Sequence, residues 1–469
     1  MNKFPPIKNR PPIVQRVFKG INKLDPFSIR DDEASDMSNI SSAKYPALSV
    51  RPGFSLLGSA MPATINGLAA WKDSELHAVS NGTWYKYTGG VWTSTGATGL
   101  NAAASYSFTN FKGNLSDISL IAANGVDPVK VYTGSSVSNL ATAPSGLKFI
   151  EQYADRLWGV VGNELKFTAY RKANDWTTAA GDDADSGFIV CETPTGENIS
   201  GIVAGINHVT VFKPNSIHEV FGYAPSDYRL VPVTYEVGVM NNNCSVVFNN
   251  VMFILHRTGI YKYQGGVMPS RSFSEPVQWY IDNMNVAASS LATLGTDGNK
   301  LYVSIPMNSS TYNDTNLVYD PQYDMWTVWN GYTASRFAKM SADMYISNND
   351  GTVRKVGGLT DNGAPITWNR VSKPFSGGSM SQRIRWYRMF IVIDVPAGSS
   401  INIYVSRSST GDSDWFQVGN TITGTLQSVR IPLNMGALAM GNWLRVKFSG
   451  TGPVIINEWA REEDSMPLA

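Results

Sequence analysis

A short aromatic phrase that occurs twice decides the fold class. Residues 83–92 read TWYKYTGGVW and residues 259–267 read GIYKYQGGV, so Tyr-Lys-Tyr, one variable residue and Gly-Gly-Val recur in the same order. The first copy follows Asn81-Gly82, and Asn-Gly is a strong signal for a tight β-hairpin. Alternating aromatic and polar residues after such a turn indicate a β-strand. The repetition therefore predicts a unit of antiparallel strands that occurs more than once.

Further copies of the same unit lie between and after these two. Each contains two alternating stretches around a polar turn, and they cover residues 106–134, 149–170, 199–222, 290–331 and 335–358. With the two clear copies they make about seven units of about 35–50 residues each. Four short strands repeated at this period are typical of propeller blades. The sequence predicts a β-propeller of about seven blades, with six as the alternative.

The two ends of the chain have a different pattern. Residues 380–469 contain alternating strands around short turns, which is typical of an antiparallel β-sandwich. Residues 1–50 are rich in turn-forming residues and have no clean period. The predicted fold is thus all-β, with an extended N-terminal arm (1–50), a β-propeller (51–370) and a C-terminal β-sandwich (380–469). Because the repeats begin near residue 65, we expect the propeller to fold without the arm.

Composition limits the classes of function. The chain has 469 residues, a net charge of +1 and only 16% charged residues, so no bulk attraction to a polyanion is expected. Its two cysteines are too few for a disulfide-stapled scaffold, and a reducing cytoplasm is the expected place of synthesis. Pro5 and Pro6 interrupt any apolar leader, so we expect no secretory signal. No apolar run is long enough for a membrane span.

Charge is uneven at the N-terminus. Residues 1–24 contain no acid, whereas residues 31–36 read DDEASD. Two interpretations stay open, a solvated arm or an arm that docks on an acidic partner or a sister subunit. The basic residues of the first segment are Lys3, Lys8, Arg10, Arg16, Lys19 and Lys23.

Motifs for enzymatic chemistry are weak. The sequence has no H-E-x-x-H, no G-x-S-x-G and no phosphate-binding glycine loop. The stretch GDDADSG (181–187) resembles the start of a calcium loop, but Pro194 stands where a bidentate glutamate is needed. We therefore predict a polar loop there, with a weak cation site as the alternative, and no cofactor. Single histidines and carboxylates that could serve a hydrolase are His77, His208, His218, His256, Asp73, Glu151, Asp155 and Glu236.

The arm carries the most specific phrase in the chain. Residues 20–54 begin with GINKLDPF and end with SVRPGF. This phrase resembles the opening of tailed-bacteriophage neck and tail proteins, which share a Gly-Gly-hydrophobic-Asn start, an Asp-x-Pro, a later Glu and an Arg-Pro-Gly-aromatic end. Lys19 replaces the expected second glycine, and Ala47-Leu48 replaces a glycine before Arg-Pro-Gly. The matching residues are Gly20, Ile21, Asn22, Asp25, Pro26, Ile29, Glu33, Asn39, Arg51, Pro52, Gly53 and Phe54.

The resemblance extends to the C-terminal sandwich, where RWYRMFIVIDVP (385–396) is similar to the ending of the same proteins. It implies a tail hub or nozzle, a non-enzymatic virion protein assembled in the host cytoplasm. Such subunits form a ring, most simply a hexamer, below the portal and adaptor. The ring retains packaged DNA and conducts it during ejection, with transient, non-specific contact to the duplex and no membrane insertion. The alternatives are a receptor-binding or adhesive propeller and, less favoured, a propeller glycoside hydrolase.

The same resemblance assigns a role to the arm. Its motif residues would form an assembly device that is ordered by the propeller or by a neighbouring subunit, because chain without its own core needs external partners. The residues expected to carry this role are Gly20, Asn22, Asp25, Pro26, Glu33, Asn39, Arg51, Pro52 and Gly53.

Overall fold

The computed structural model describes residues 11–205, 207–377, 379–411, 414–424, 427–432 and 440–466. The described residues are mostly β-strands joined by turns. They contain one short α-helix, α1 (Gln278–Asp282), and three 3-10 helices at Asn242–Cys244, Ser272–Val277 and Val286–Leu291. The prediction of an all-β chain built from small antiparallel sheets is confirmed.

Five short strands precede the first repeat unit. They are β1 (Ile13–Gln15), β2 (Ala34–Ser38), β3 (Ile40–Ser41), β4 (Leu48–Val50) and β5 (Phe54–Leu56).

Four small antiparallel sheets follow, each formed by consecutive strands. Sheet 1 has β6 (Ile65–Trp71), β7 (Glu75–Ser80), β8 (Thr83–Thr88) and β9 (Val91–Ser94). Sheet 2 has β10 (Ser107–Phe111), β11 (Ser119–Ala123), β12 (Lys130–Tyr132) and β13 (Val137–Asn139). Sheet 3 has β14 (Ile150–Tyr153), β15 (Arg156–Val161), β16 (Glu164–Phe167) and β17 (Gly187–Val190). Sheet 4 has β18 (Gly201–Ala204), β19 (Val209–Lys213), β20 (Ser216–Phe221) and β21 (Arg229–Thr234).

Three further sheets complete the repeated region. Sheet 5 has three strands, β22 (Ser245–Phe248), β23 (Val251–His256) and β24 (Gly259–Tyr263). Sheet 6 has β25 (Thr293–Thr296), β26 (Leu301–Ile305), β27 (Thr315–Asp320) and β28 (Met325–Trp329). Sheet 7 has β29 (Ala334–Met340), β30 (Asp343–Asn348) and β31 (Val353–Val356), then β5 from the N-terminal side and the small hairpin β32 (Thr360–Asp361) and β33 (Ala364–Pro365).

The first strands of these sheets contact one another in order. β6 contacts β10, β10 contacts β14, and β14 contacts β18. The 3-10 helix Asn242–Cys244 links β18 to β25, and β25 contacts both β22 and β29. β29 then contacts β6, so the series returns to its start. The seven repeat units of the sequence each fall on one sheet, and the arrangement is propeller-like.

Apolar residues on both faces explain why these short strands stack. Trp84 and Trp158 are fully buried between neighbouring sheets, where large aromatic rings contribute most of the buried apolar area. Gly67 and Gly295 lie where an added Cβ would be less than 3 Å from a side chain of the adjacent sheet. The sheets are therefore held by face-to-face packing between repeats.

The remaining strands form two sheets packed on each other. They are β34 (Thr367–Ser372), β35 (Phe375–Ser376), β36 (Ile384–Asp394), β37 (Ser400–Ser406), β38 (Phe416–Gln417), β39 (Gln427–Pro432), β40 (Met440–Gly441), β41 (Trp443–Thr451) and β42 (Ile455–Ser465). One sheet has the order β3-β4-β42-β36-β39, with β1 on β42 and β40 on β36. The other has the order β2-β34-β41-β37-β38, with β35 on β41.

The sandwich thus includes strands that the sequence placed elsewhere. β1, β3 and β4 of the arm join one sheet, and β2 joins the other. The sandwich also uses β34 and β35, which lie before residue 380. Apolar and polar residues alternate in the arm over stretches that are too short to predict strands. The strands that pair with β2 and β4 lie more than 300 residues further along the chain. The arm side chains in the largest core cluster are Phe18, Ile21, Ala34, Met37, Ile40 and Leu48.

Candidate functional site

The arm passes between sheet 6 and the sandwich, and Gly20 marks its closest approach. The Ile21 amide donates to the Trp326 carbonyl at 2.8 Å. A Cβ on Gly20 would lie 2.0 Å from that same carbonyl oxygen. Only glycine fits without a backbone shift, so this glycine is required by a contact inside the chain.

The next motif residues shape a compact turn. The Asp25 carboxylate accepts from the Ser28 hydroxyl at 2.8 Å and from the Phe27 amide at 3.2 Å. Asn22, which is buried, accepts from the Leu24 amide at 3.1 Å through its side chain. These short-range bonds satisfy backbone donors within the turn.

The turn closes with Glu33, whose carboxylate accepts from the Arg30 amide at 2.8 Å. Pro26 follows Asp25 in the turn and is half-buried. The turn then leads into β2, and Ile21 forms a parallel bridge with Ala34. Asn22, Asp25, Pro26 and Glu33 therefore act locally, by folding the arm onto itself.

Asn39 connects three parts of the molecule. It adopts φ 58°, a left-handed conformation that asparagine tolerates better than most residues. Its amide donates to the Val328 carbonyl and its side-chain nitrogen donates to the Thr367 carbonyl, both at 2.7 Å. Its side-chain oxygen accepts from the Asn330 amide at 2.7 Å. One side chain thus ties the arm to the end of β28 and to β34 of the sandwich.

Arg51 is the centre of the site, with 2% of its surface exposed. Its guanidinium makes a two-pronged ion pair with Asp361 at 2.8 and 2.7 Å. It also donates to the side chain of Asn39 and to the Asn330 carbonyl, each at 2.8 Å. The ring of Tyr332 lies 4.9 Å from the guanidinium carbon. Because buried charge is tolerated only when it is paired and hydrogen-bonded, this saturation is what permits the burial.

Tyr332 borders the same cluster. Burial raises the pKa of its hydroxyl to about 12, against the opposing influence of Arg51. The phenol is therefore neutral at physiological pH and can accept the Arg51 hydrogen bond at 3.3 Å. We call Asn39, Arg51, Asn330, Tyr332 and Asp361 the arm joint.

Pro52 and Gly53 lead from the joint into sheet 7. The Pro52 carbonyl accepts from Arg51 at 2.8 Å. A Cβ on Gly53 would lie 1.9 Å from the Thr360 carbonyl oxygen, and Gly53 exchanges backbone hydrogen bonds with Gly357 and Gly358. The chain can then enter sheet 7 as β5, next to β31.

The structure therefore divides the motif residues into a group that acts within the arm, described above, and a group that docks the arm on the rest of the chain. Gly20, Asn39, Arg51 and Gly53 contact sheet 6, sheet 7 or the sandwich. The partners Asp361, Asn330 and Tyr332 carried no sequence signal, because each lies about 280–310 positions from Arg51.

The four histidines lie apart from the arm joint. The Trp84 indole donates to His77 Nδ1 at 3.0 Å, and His77 Nε2 lies 2.9 Å from Glu75. Burial lowers the pKa of His77 to about 4 and that of His256 to about 4. His218 shifts in the same direction through burial, and His208 lies 3.1 Å from Glu219. Each is in contact with neighbouring side chains of its own or the next sheet.

The acidic loop 181–187 is organised by an arginine. The guanidinium of Arg156, which is fully buried, donates to the carbonyls of Thr168, Asp183 and Asp185 at 2.5–2.6 Å. The Asp185 carboxylate accepts from the Gly181 amide at 2.6 Å. The guanidinium of Arg156, a cationic group of the chain itself, thus already binds two carbonyls of the loop.

The carboxylates considered for a hydrolase are dispersed. Asp73 accepts from the Ser341 amide at 2.5 Å, and Asp155 pairs with Arg171 at 2.9 Å. Burial raises the pKa of Glu151 to about 8. Across the described ranges, no group of three or more His, Cys, Asp or Glu is placed to hold a metal ion. The two cysteines, Cys191 and Cys244, are free and buried.

Within the part of the chain that the structure describes, no helix has the length and apolar character needed to cross a membrane.

Comparisons with known proteins give similarity of fold alone. No family model matches the chain, and no curated protein matches it. The extracellular domain of a putative one component system from B. thetaiotaomicron is similar at 11% identity and a TM-score of 0.46, over 87% of this chain and 60% of that one. BamB from Moraxella catarrhalis is similar at 8% identity and 0.42, over 73% and 97%. A chain of the Mitotic Checkpoint Complex is similar at 10% identity and 0.43, over 66% and 93%.

Proposed function

We propose that this protein is a structural subunit of a bacteriophage neck or tail, acting as a hub or nozzle. In this proposal sheets 1–7 form a seven-bladed propeller, and copies of the chain form a ring that extends the portal–adaptor channel. The ring retains packaged DNA and conducts it during ejection. The observation that carries the proposal is the arm joint, because the residues of the phage-like phrase are the ones that fix the arm.

The joint bears on how such a subunit would assemble. Arg51 and Asn39 tie the arm to sheet 6, sheet 7 and the sandwich of the same chain. The arm over residues 11–53 is thus used to make one body out of propeller and sandwich. Contacts between copies would then come from other surfaces, in repeated heterologous pairs that close by rotation.

Charge fits a conduit better than a DNA-binding domain. The chain has 38 basic and 37 acidic residues, so a strong phosphate-binding stripe is not expected. Tight phosphate contacts would oppose rapid release, and they would make affinity steeply dependent on salt. We expect linear duplex DNA to bind with a Kd of about 1 μM or weaker at physiological salt, without sequence preference.

The test is the arrangement of copies in a particle. The protein would be co-expressed with its portal and adaptor, and the complex imaged by electron cryomicroscopy, with the isolated chain as control. We expect a closed ring below the adaptor, most simply of six copies, and a monomer or small oligomer for the isolated chain. Three copies at the tip of a fibre would instead support the receptor-binding alternative.

One observation favours that second function. A cavity of about 650 Å³ lies at one end of the ring of sheets and is lined by residues in or beside all seven. Ligand sites have this size and concave form. A receptor-binding propeller would use such a cavity for a glycan.

A further inference from the structure

The cavity at the end of the ring, which we call the axial pocket, is built where the sheets converge. Its walls are mainly the segments just before the first strands, such as Thr64 before β6, Lys148 before β14 and Asn198 before β18. Arg336 also lines it, and lies further along its strand than the other lining residues. The pocket is therefore formed by the assembled ring and not by any single repeat.

The asparagines of the wall mostly connect neighbouring sheets. Asn242 accepts from the Ile202 amide at 2.8 Å, and Asn241 donates to the Ala292 carbonyl at 3.1 Å. Asn313 donates to the carbonyls of Leu291 and Ala334, both at 2.7 Å. These amides are occupied by structural bonds, which hold the wall in a fixed shape. The Asn313 side-chain oxygen is the exception, since it is buried without a partner.

Arg336 is held in place but is not neutralised. Its guanidinium donates to the Ser105 hydroxyl at 2.7 Å and to the Ser335 carbonyl. Ser105 belongs to the segment before sheet 2, so the arginine of sheet 7 reaches to sheet 2. The same hydroxyl lies 3.4 Å from the Asn243 side-chain nitrogen of sheet 5. One hydrogen bond to a hydroxyl and one to a carbonyl leave most of the five N–H donors of the guanidinium free.

The missing partner is an anion. Among the described residues, no carboxylate forms an ion pair with Arg336, and its Nε is buried without a hydrogen-bond partner. Burial lowers its pKa to about 10, so the group remains charged at neutral pH. Arg336 is half-buried at the pocket wall, and a charge that is partly removed from water without a counter-charge is disfavoured. An oxyanion arriving from the pocket would supply both the charge and the missing hydrogen-bond acceptors.

We propose that the axial pocket binds a small hydroxylated oxyanion, a sugar acid or sugar phosphate in chemical class, with Arg336 holding the oxyanion group. A hydroxyl of the ligand donates to the unpartnered oxygen of Asn313. Lys148 at the pocket wall, which is exposed and has no ion-pair partner among the described residues, adds attraction for the same sign of charge.

The experiment is isothermal titration of the full chain with four probes at constant ionic strength. Glucuronate carries both groups, acetate and inorganic phosphate carry the oxyanion alone, and glucose carries the hydroxyls alone. We expect glucuronate to bind with a Kd of about 0.1–1 mM, the two simple anions to bind more weakly, and glucose to bind least. Tighter binding of phosphate than of acetate would indicate a sugar phosphate as the natural ligand, and tighter binding of acetate would indicate a sugar acid.

Variants separate the pocket from general charge effects. Arg336→Met should weaken glucuronate binding about 10- to 100-fold, and Arg336→Lys should weaken it less. Arg229→Gln should leave glucuronate binding unchanged, because Arg229 is exposed on the outer strand β21. Equal binding of glucose and glucuronate, or no binding of any anion by the wild-type chain at about 10 mM, would overturn the proposal. So would unchanged glucuronate affinity in Arg336→Met.

Discussion

Two arginines, Arg51 at the arm joint and Arg336 at the axial pocket, differ in how completely their guanidinium groups are paired and hydrogen-bonded. Arg51 has a carboxylate, two carbonyls, an amide oxygen and an aromatic ring around its guanidinium. Arg336 has one hydroxyl and one carbonyl, and its Nε has no partner. A saturated buried charge holds a structure together, whereas an unsaturated one is a position that a ligand can complete.

The contrast also separates two kinds of site. The arm joint gathers residues that are far apart in sequence, and their acceptor atoms occupy the Arg51 guanidinium. The axial pocket is lined by loop ends that face a cavity of about 650 Å³. For the proposed phage subunit, the arm joint would stabilise the monomer, and the axial pocket would bind a ligand from outside the chain.

The largest effect is expected when Arg51 is replaced. Arg51→Met leaves Asp361 charged and without its partner, and breaking a buried pair typically costs about 3–5 kcal/mol of unfolding free energy. Arg336→Met removes a charge that has no partner, so its unfolding free energy should be unchanged or higher. Chemical denaturation of both variants in the same buffer, without added anions other than chloride, measures the difference.

The double variant Arg51→Met/Asp361→Leu controls for loss of the guanidinium packing. It removes both charges and should recover part of the stability lost in the single variant. If Arg51→Met and Arg336→Met destabilise equally, the distinction between saturated and unsaturated arginine fails.

A smaller effect is expected at Gly20. The alanine side chain of Gly20→Ala would meet the Trp326 carbonyl, and relief requires a backbone shift that costs about 1–3 kcal/mol. Gly89→Asn is the comparison, because Gly89 has open space around its Cβ position and a left-handed φ of 62° that asparagine tolerates. Thermal unfolding should show a lower Tm for Gly20→Ala than for Gly89→Asn, and the reverse order would contradict close docking of the arm.

Much of this organisation follows from the sequence. The Tyr-Lys-Tyr phrase and its weaker copies locate the repeat units, since hairpin turns and alternation are local features. The strands β2, β3 and β4 were not predictable, because each is short. β2 and β4 form by pairing with chain near residues 370 and 455, and β3 pairs with β4. Asp361 had no signal as a partner of Arg51. Arg336 had none as a pocket residue, since its environment depends on the ring of sheets.

The last effect concerns the dependence of stability on pH, which comes from a third type of buried group. His77 is held neutral, with Trp84 donating to Nδ1, and its pKa of about 4 lies below the ordinary value of 6.5. The unfolded chain binds this proton more readily, so stability falls as pH decreases from about 6.5 to about 4. We expect a loss of roughly 3 kcal/mol from this residue, and a flatter profile for His77→Gln.

Hydrogen exchange of the isolated chain tests most directly whether the arm is a built-in part of the monomer. The amides of Ile21, Asn39 and Arg51 donate to Trp326, Val328 and Asn39 carbonyls at 2.7–2.9 Å. We predict that they exchange as slowly as amides in the paired strands β36 and β42, with no partner protein present. Exchange as fast as in the exposed turn at Gly89-Gly90 would contradict the account, because the arm would then be ordered only by another subunit.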